Sequence, residues 1–118
     1  MIHVMDGEWS INSQSLIINC RSLYSFISMK GIEPTEIHIE MISHKELESI
    51  SLDSIRYLRA NTNLPGIVAK NMQNPHMKEY RMLDGRHRLK KSLEYGMMSF
   101  KSYIITPEDA MKFAIASI

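Results

Sequence analysis

The chain has 118 residues and a formal net charge of +1 at pH 7, with 44% hydrophobic and 23% charged residues. This length indicates a single domain, and the composition is ordinary for a globular protein. The nearly balanced charge argues against a strong general attraction to nucleic acid or to a membrane surface.

Cysteine content and the first residues bear on the compartment. Cys20 is the only cysteine, so no intrachain disulfide can form, which suits a reducing cytoplasm. Residues 1–10 lack the basic and then apolar pattern of a signal peptide, and no apolar run approaches the roughly 18–20 residues that span a bilayer. We therefore expect a cytoplasmic protein without a membrane partner.

Residues 1–33 are predicted to form an extension, a hairpin plus a helix, that packs on the core. Residues 2–5 and 9–11 flank Asp6-Gly7, which is a hairpin signal. Apolar residues then recur at helical spacing, and Gly31 suits a left-handed helix cap. The positions with this spacing are Leu16, Cys20, Leu23, Tyr24 and Ile27.

The remaining residues, 34–118, are predicted to form an α/β (α+β) domain with a small mixed sheet and packed helices. Residues 36–42 alternate with period two, which is typical of a half-buried strand. Further strands are predicted at residues 67–69, 79–83 and 100–105. A short helix with Leu52, Ile55 and Leu58 follows the start signals Ser51 and Asp53.

Two more helices are predicted in the C-terminal half. Residues 86–95 form a helix with Leu89 and Leu93 facing inward, closed by Gly96. Thr106-Pro107-Glu108-Asp109 is a strong helix start, because it combines an N-cap, a first-turn proline and first-turn acids. One face of this last helix would carry Ala110, Phe113, Ala114 and Ser117.

The candidate site is the sequence Asp84-Gly85-Arg86-His87-Arg88, where a strand turns into a helix. The first N–H groups of a helix and its dipole favour an anion, and Gly85 would allow close approach to the backbone. Arg86, His87 and Arg88 add donors suited to phosphate oxygens. Asp84 could hold a divalent metal, orient His87 or act as a base. The alternative interpretation is a solvated helix end with basic residues on its polar face.

Residues 80–105 resemble the central signature of the ParB/sulfiredoxin-like (ParB-like nuclease domain) superfamily: a strand, a Gly-x-(His/Arg)-Arg turn, a helix closing on glycine, and a strand. The Asp-Gly-x-His-Arg version is similar to that of the free serine kinases and the small stand-alone ParB-like proteins of this superfamily. The resemblance covers roughly residues 34–118 and leaves residues 1–33 unmatched.

The resemblance implies a nucleotide-binding site for ATP, ADP or CTP, with Mg²⁺ as cofactor. It implies phosphate contacts by His87 and Arg88. The lysine that sulfiredoxins use for the nucleotide, near the start of the first family helix, appears here as Ser51, whereas a serine three residues further on is matched by Ser54. Arg86 stands where sulfiredoxins place their catalytic cysteine, so reduction of sulfinic acid is not expected. Centromere binding is not expected either, since no helix-turn-helix segment follows.

The candidate catalytic residues are carboxylates. The kinase members place a catalytic carboxylate after the first family strand, where this chain has Glu46 and Glu48. With Asp84, these residues are the catalytic candidates for nucleotide-dependent phosphoryl transfer or hydrolysis.

Two other functions stay open at this point. The first is a DNA-binding or nuclease module that uses the basic stretch from Lys78 to Lys91, with Lys90 and Lys91 facing solvent. The second is a non-enzymatic regulator that contacts a protein partner through residues 1–33. The nucleotide hypothesis makes one sharp prediction: Arg88 is a surface ligand of the phosphate. A buried ion pair at Arg88 would instead make it part of the scaffold, and the assignment of the site with Arg88 as a ligand would fail.

Overall fold

A computed structural model describes residues 10–11, 14–44, 47, 52–74 and 76–116. These residues form one small mixed α/β domain, as the sequence predicts. In chain order the elements are β1 Ser10–Ile11, β2 Gln14–Ile18, α1 Cys20–Lys30, β3 Thr35–His38, a 3₁₀ turn Ile39–Met41, β4 Ile42–Ser43, α2 Ile55–Leu58, β5 Gly66–Lys70, β6 Tyr80–Asp84, α3 Arg86–Glu94, β7 Ser99–Ile105, α4 Pro107–Met111 and β8 Ala114–Ala116.

Five strands form the central sheet in the order β3-β7-β5-β6-β4. Strand β5 runs parallel to β7 and antiparallel to β6, whereas β3 pairs antiparallel with β7 and β4 pairs parallel with β6. This arrangement puts the end of β6 beside the start of β5, since Ile67 pairs with Asp84. The residues around Pro65 and Gly66 therefore lie next to the turn that begins α3.

The sheet is curled because β3 and β4 lie at its two opposite edges and only the 3₁₀ turn joins them. Four extended residues span at most about 14 Å, whereas the edges of a flat five-stranded sheet would be about 19 Å apart. The predicted single strand over residues 36–42 is thus wrong in its continuity. Its two halves pair with different strands, and the amide of Ile39 donates instead to Met98 O at 2.9 Å.

The sheet buries both of its faces, so the core has two parts. Residues of one face pack against α1 and α4 in the first cluster: Ile18, Cys20, Leu23, Phe26, Ile27, Ile67, Ala69, Met72, Leu83, Ile105 and Ala110. Residues of the other face pack with α2 and α3 in the second: Ile37, Ile39, Ile42, Leu47, Tyr57, Val68, Tyr80, Met82, Leu89 and Phe100. Successive residues of β5 and β6 alternate between the two clusters, as the pleat requires.

The segment before residue 34 is integrated into the fold through α1 and a small sheet. Strand β2 pairs antiparallel with both β1 and β8, so a short hairpin and the C-terminal strand form a three-stranded sheet. Helix α1 begins at Cys20, because the Asn19 side chain accepts from Ser22 N, and it ends on Gly31 in the predicted left-handed conformation. The first strand of the predicted hairpin, residues 2–5, lies outside the described residues.

The predicted helix bounds are wrong at Leu16 and after Met111. Leu16 belongs to β2 rather than to the first helix. Helix α4 has the predicted Thr106 cap, but it ends at Met111. Ala114 then enters β8, where it pairs with Ile18 of β2, because that strand offers a hydrogen-bonding partner that helical periodicity cannot reveal. The predicted helical face through Phe113 and Ala114 therefore does not form.

Helices α2 and α3 also bury different side chains from those predicted. Leu52, Ile55 and Leu58 are exposed, and Tyr57 is the residue of α2 that packs into the core. In α3 the predicted Leu89 is fully buried, but Leu93 is 39% exposed. The buried neighbour of Leu93 is Ser92, whose hydroxyl donates to Arg88 O at 2.9 Å.

Within the described part of the chain, none of the helices has the length and apolar character needed to cross a membrane.

Candidate functional site

The turn from β6 into α3 has the local form that the sequence predicts. Gly85 is the N-cap of α3 and has φ 111° and ψ 16°, a left-handed conformation that favours glycine. Its carbonyl accepts the first helical hydrogen bond, from Leu89 N at 2.8 Å. Gly85 offers no side-chain cap, and no acidic residue lies in the first turn. The positive end of the helix dipole is therefore not offset from within the first turn.

Two glycines meet at this turn. A Cβ atom on Gly85 would come within 3.1 Å of the Cα of Gly66, and one on Gly66 would come within 2.6 Å of Asp84 O and 2.9 Å of the Phe100 ring. On this side of Gly85 the close neighbour is thus the start of β5 rather than a ligand. The glycine at position 85 is needed for packing as well as for its backbone conformation.

Arg88 does not occupy the position expected of a surface phosphate ligand. Its Nη2 contacts Asp84 Oδ2 at 3.0 Å and Tyr24 Oη at 3.1 Å, and its Nη1 donates to Pro65 O at 2.8 Å. The side chain is only 18% exposed. This is the partly buried ion pair that marks a scaffold residue, so we reassign Arg88 from phosphate contact to a structural role.

Asp84 takes part in the same network. Its Oδ2 accepts from Tyr24 Oη at 2.6 Å as well as from Arg88, and the side chain is 19% exposed. A guanidinium 3.0 Å away both neutralises this carboxylate and repels a second cation. Asp84 therefore does not fit the role of a Mg²⁺ ligand, and an acceptor so engaged is a poor general base. Its position explains instead how the first turn of α3 is fixed.

Tyr24 is the residue of this site that the sequence argument missed. The helical spacing of α1 assigned it to an apolar face, but its hydroxyl reaches Asp84 and Arg88 and lies 3.5 Å from Pro65 O. Burial, and secondarily the Asp84 carboxylate, raise the pKa of Tyr24, so its hydroxyl keeps its proton and donates. The helical spacing around Tyr24 cannot reveal this contact, because Asp84 lies 60 residues further along the chain.

The other candidates are distributed as follows. Arg86 and His87 occupy the first two positions of α3 and are partly exposed. Ser54 is the N-cap of α2, and its hydroxyl accepts from Tyr57 N at 3.1 Å, which gives it a local structural role. Glu46, Glu48 and Ser51 lie outside the described residues. Among all the residues that the structure describes, His, Cys, Asp and Glu side chains form no group of three that could hold a metal ion.

The basic stretch from Lys78 to Lys91 is largely engaged by the fold. Arg81 is fully buried and donates to Gln73 O at 2.9 Å, and burial lowers its pKa to about 10. Lys90 is 14% exposed and lies 3.8 Å from Glu94. Lys91 Nζ donates to Leu58 O and Ala60 O at 3.0 and 3.1 Å. The prediction that Lys90 faces solvent is therefore wrong, whereas Lys91 stays partly exposed with its ammonium group bound to two carbonyls.

Cys20 is a core residue, as its place on a helix face suggests. It is fully buried, its thiol lies 3.7 Å from Leu83 O, and burial raises its pKa to about 12. A protonated, inaccessible thiol is a poor nucleophile.

Comparison of the chain with protein-family models, with curated proteins and with solved structures found no match. The ParB/sulfiredoxin-like assignment therefore stays a prediction that rests on the residues quoted for it.

Proposed function

We propose that the protein binds a nucleotide through its phosphates at the first turn of α3. The observation that carries this proposal is the start of that helix: a glycine N-cap at φ 111°, no acid in the first turn, and Arg86 and His87 at the first two positions. Negative charge is stabilised at such an end, because the first N–H groups of the helix and the positive end of its dipole attract an anion.

Arg86 and His87 supply the side chains of the proposed site. The guanidinium is permanently charged and can hold two phosphate oxygens, and the imidazole can donate from a ring nitrogen near neutral pH. Both residues are partly exposed, in contrast to the fully buried Leu89 one turn later. The resemblance to the Asp-Gly-x-His-Arg proteins supports a nucleotide over a simpler anion.

The network around Asp84 has a supporting role in this proposal. Arg88 and Tyr24 fix the carboxylate directly before Gly85, and Arg88 also ties the first turn of α3 to Pro65. The amides at the helix start are thereby held in place before a ligand arrives. Such preorganisation lowers the entropy cost of binding.

Binding to nucleic acid is the weaker candidate. Extended contact with a phosphate backbone needs an exposed basic surface. Most basic side chains of the stretch instead have partners within the fold: Arg81, Arg88, Lys90 and Lys91.

Phosphoryl transfer from a bound nucleotide would in addition require a general base, for which Glu46 and Glu48 are the sequence candidates.

Calorimetric titration with ATP, ADP and CTP, each with and without Mg²⁺, tests the proposal. We expect saturable binding that weakens roughly ten- to hundredfold in Arg86→Ala and His87→Ala, the scale of a charged hydrogen bond. Lys101→Ala removes an exposed cation outside the first turn of α3 and serves as the matched control. Absence of binding by all three nucleotides, or equal loss in all variants, would reject the proposed site.

A further inference from the structure

A cavity of about 260 Å³ lies outside the α3 turn, beside the C-terminal half of α1. Its walls come from α1, from the residues just after that helix and from β7. Tyr24, Tyr103, Ile27 and Ile32 supply aromatic and aliphatic surface, and Glu33 supplies a carboxylate. The volume is slightly below the roughly 300–1,000 Å³ typical of pockets for drug-sized ligands, so a ligand would be small.

The two aromatic walls stand nearly perpendicular to each other. The rings of Tyr24 and Tyr103 are 82° apart with centroids separated by 6.3 Å. The electron-rich face of a tyrosine ring attracts a cation within about 6 Å of the centroid, and the attraction grows where water is excluded. The cavity is open to solvent on one side, and Ile27, which is 2% exposed, and Ile32 provide apolar surface beside the rings.

Electrostatic features of the cavity also favour positive charge. Glu33 is an exposed carboxylate at its rim. The cavity lies at the C-terminal end of α1, where the helix dipole places partial negative charge. Lys30, the basic residue of that last turn, extends to the Phe26 ring at 5.7 Å, and Phe26 does not line the cavity. Arg88 touches the Tyr24 hydroxyl, but Asp84 balances its charge.

The geometry points to a binding site for a small organic ammonium ion between Tyr24, Tyr103 and Glu33. The ion would lie against the tyrosine rings, and Glu33 would compensate its charge at the rim. A neutral molecule of the same shape would gain the apolar contacts but neither of these electrostatic attractions. Tyr24 belongs to both sites, but this inference does not rest on nucleotide binding at α3, so either proposal can fail without the other.

Titration of the full chain with tetramethylammonium, followed by NMR of the tyrosine rings, tests this inference, with tert-butanol as the neutral probe of similar shape. We expect millimolar affinity for the cation and at least roughly tenfold weaker binding of the alcohol. Glu33→Gln should weaken cation binding roughly two- to fivefold. Glu40→Gln, the same change at an exposed carboxylate that does not line the cavity, should leave it unchanged.

Tyr103→Leu separates the aromatic contribution from the carboxylate, since it keeps apolar volume and removes a ring. This variant should prefer the cation less strongly than the unmodified chain does, and the preference that remains measures the contribution of Glu33 and Tyr24. The inference is overturned if tetramethylammonium does not bind at roughly 50 mM, if tert-butanol binds equally well to the unmodified chain, or if Glu33→Gln has no effect. Ring shifts confined to tyrosines other than Tyr24 and Tyr103 would overturn it as well.

Discussion

The hydroxyl of Tyr24 donates a 2.6 Å hydrogen bond to Oδ2 of Asp84 and thereby ties α1 to the turn that begins α3. The same oxygen of Asp84 receives Arg88 Nη2 at 3.0 Å. Helix α1 and the turn between β6 and α3, about 60 residues apart in the sequence, thus meet in one partly buried network. A segment outside the family resemblance consequently supports the candidate site.

Tyr24→Phe should destabilise the fold by about 1–2 kcal/mol, because a hydrogen bond to a carboxylate is lost while the ring stays. Chemical denaturation measures this difference. Tyr95→Phe, at a side chain 67% exposed, is the control and should change stability little. Equal stability of both variants would show that the Tyr24 hydroxyl contributes nothing to the network.

Arg88→Ala should cost about 2–3 kcal/mol of unfolding free energy, since it leaves the Asp84 carboxylate mostly buried without its cation. A double-mutant cycle with Asp84→Asn should recover part of this loss and so measure the coupling. Arg59→Ala, at an exposed arginine, is the matched control. An Arg88→Ala variant with unchanged stability and abolished nucleotide binding would restore Arg88 as a ligand.

Gly66→Ala should be more damaging than its single methyl group suggests. The new Cβ would lie 2.6 Å from Asp84 O, a backbone atom that cannot rotate away, so the turn before Gly85 must shift. We expect a cost of about 2–3 kcal/mol. Gly31→Ala meets no atom within 4 Å and carries only the strain of its positive φ, about 1 kcal/mol. Thermal unfolding of both variants checks the order, and a reversed order would contradict it.

Stability should fall above about pH 9 because of Cys20. The pKa of this thiol is raised to about 12 in the fold, against 9.0 when unperturbed, so only the unfolded chain ionises between these values. The unfolded state then binds fewer protons, and the free energy of unfolding decreases by about 1 kcal/mol between pH 8 and pH 10. Denaturation at several pH values should show a smaller decrease for Cys20→Ala than for the unmodified chain. An identical decrease would contradict this account.

The local parts of the fold could be predicted from the sequence. Strands β5, β6 and β7, the cap at Gly31 and the N-cap at Thr106 depend on neighbouring residues, and the pattern contains them. The break at Ile39 could not be predicted. Period-two alternation tells which residues share a face of the sheet, but it does not tell which edge each half of the strand joins.

The candidate site was predictable to the same extent. The glycine turn and the helix beginning at Arg86 follow from local chemistry, and the structure has both. The role of Arg88 does not, because its partners Tyr24 and Pro65 lie 64 and 23 residues away. A long charged side chain adopts the direction in which tertiary acceptors lie, and helical position alone does not specify it.

If the proposed site is correct, the phosphate groups of a nucleotide bind at the amides that begin α3. Titration of ¹⁵N-labelled protein with ADP, followed by amide chemical shifts, locates the bound phosphate residue by residue. We expect saturable shifts that are largest at residues 86–88 and strongly reduced in His87→Ala. No saturable shift at these amides, or shifts spread over exposed lysines such as Lys78 and Lys101, would contradict it.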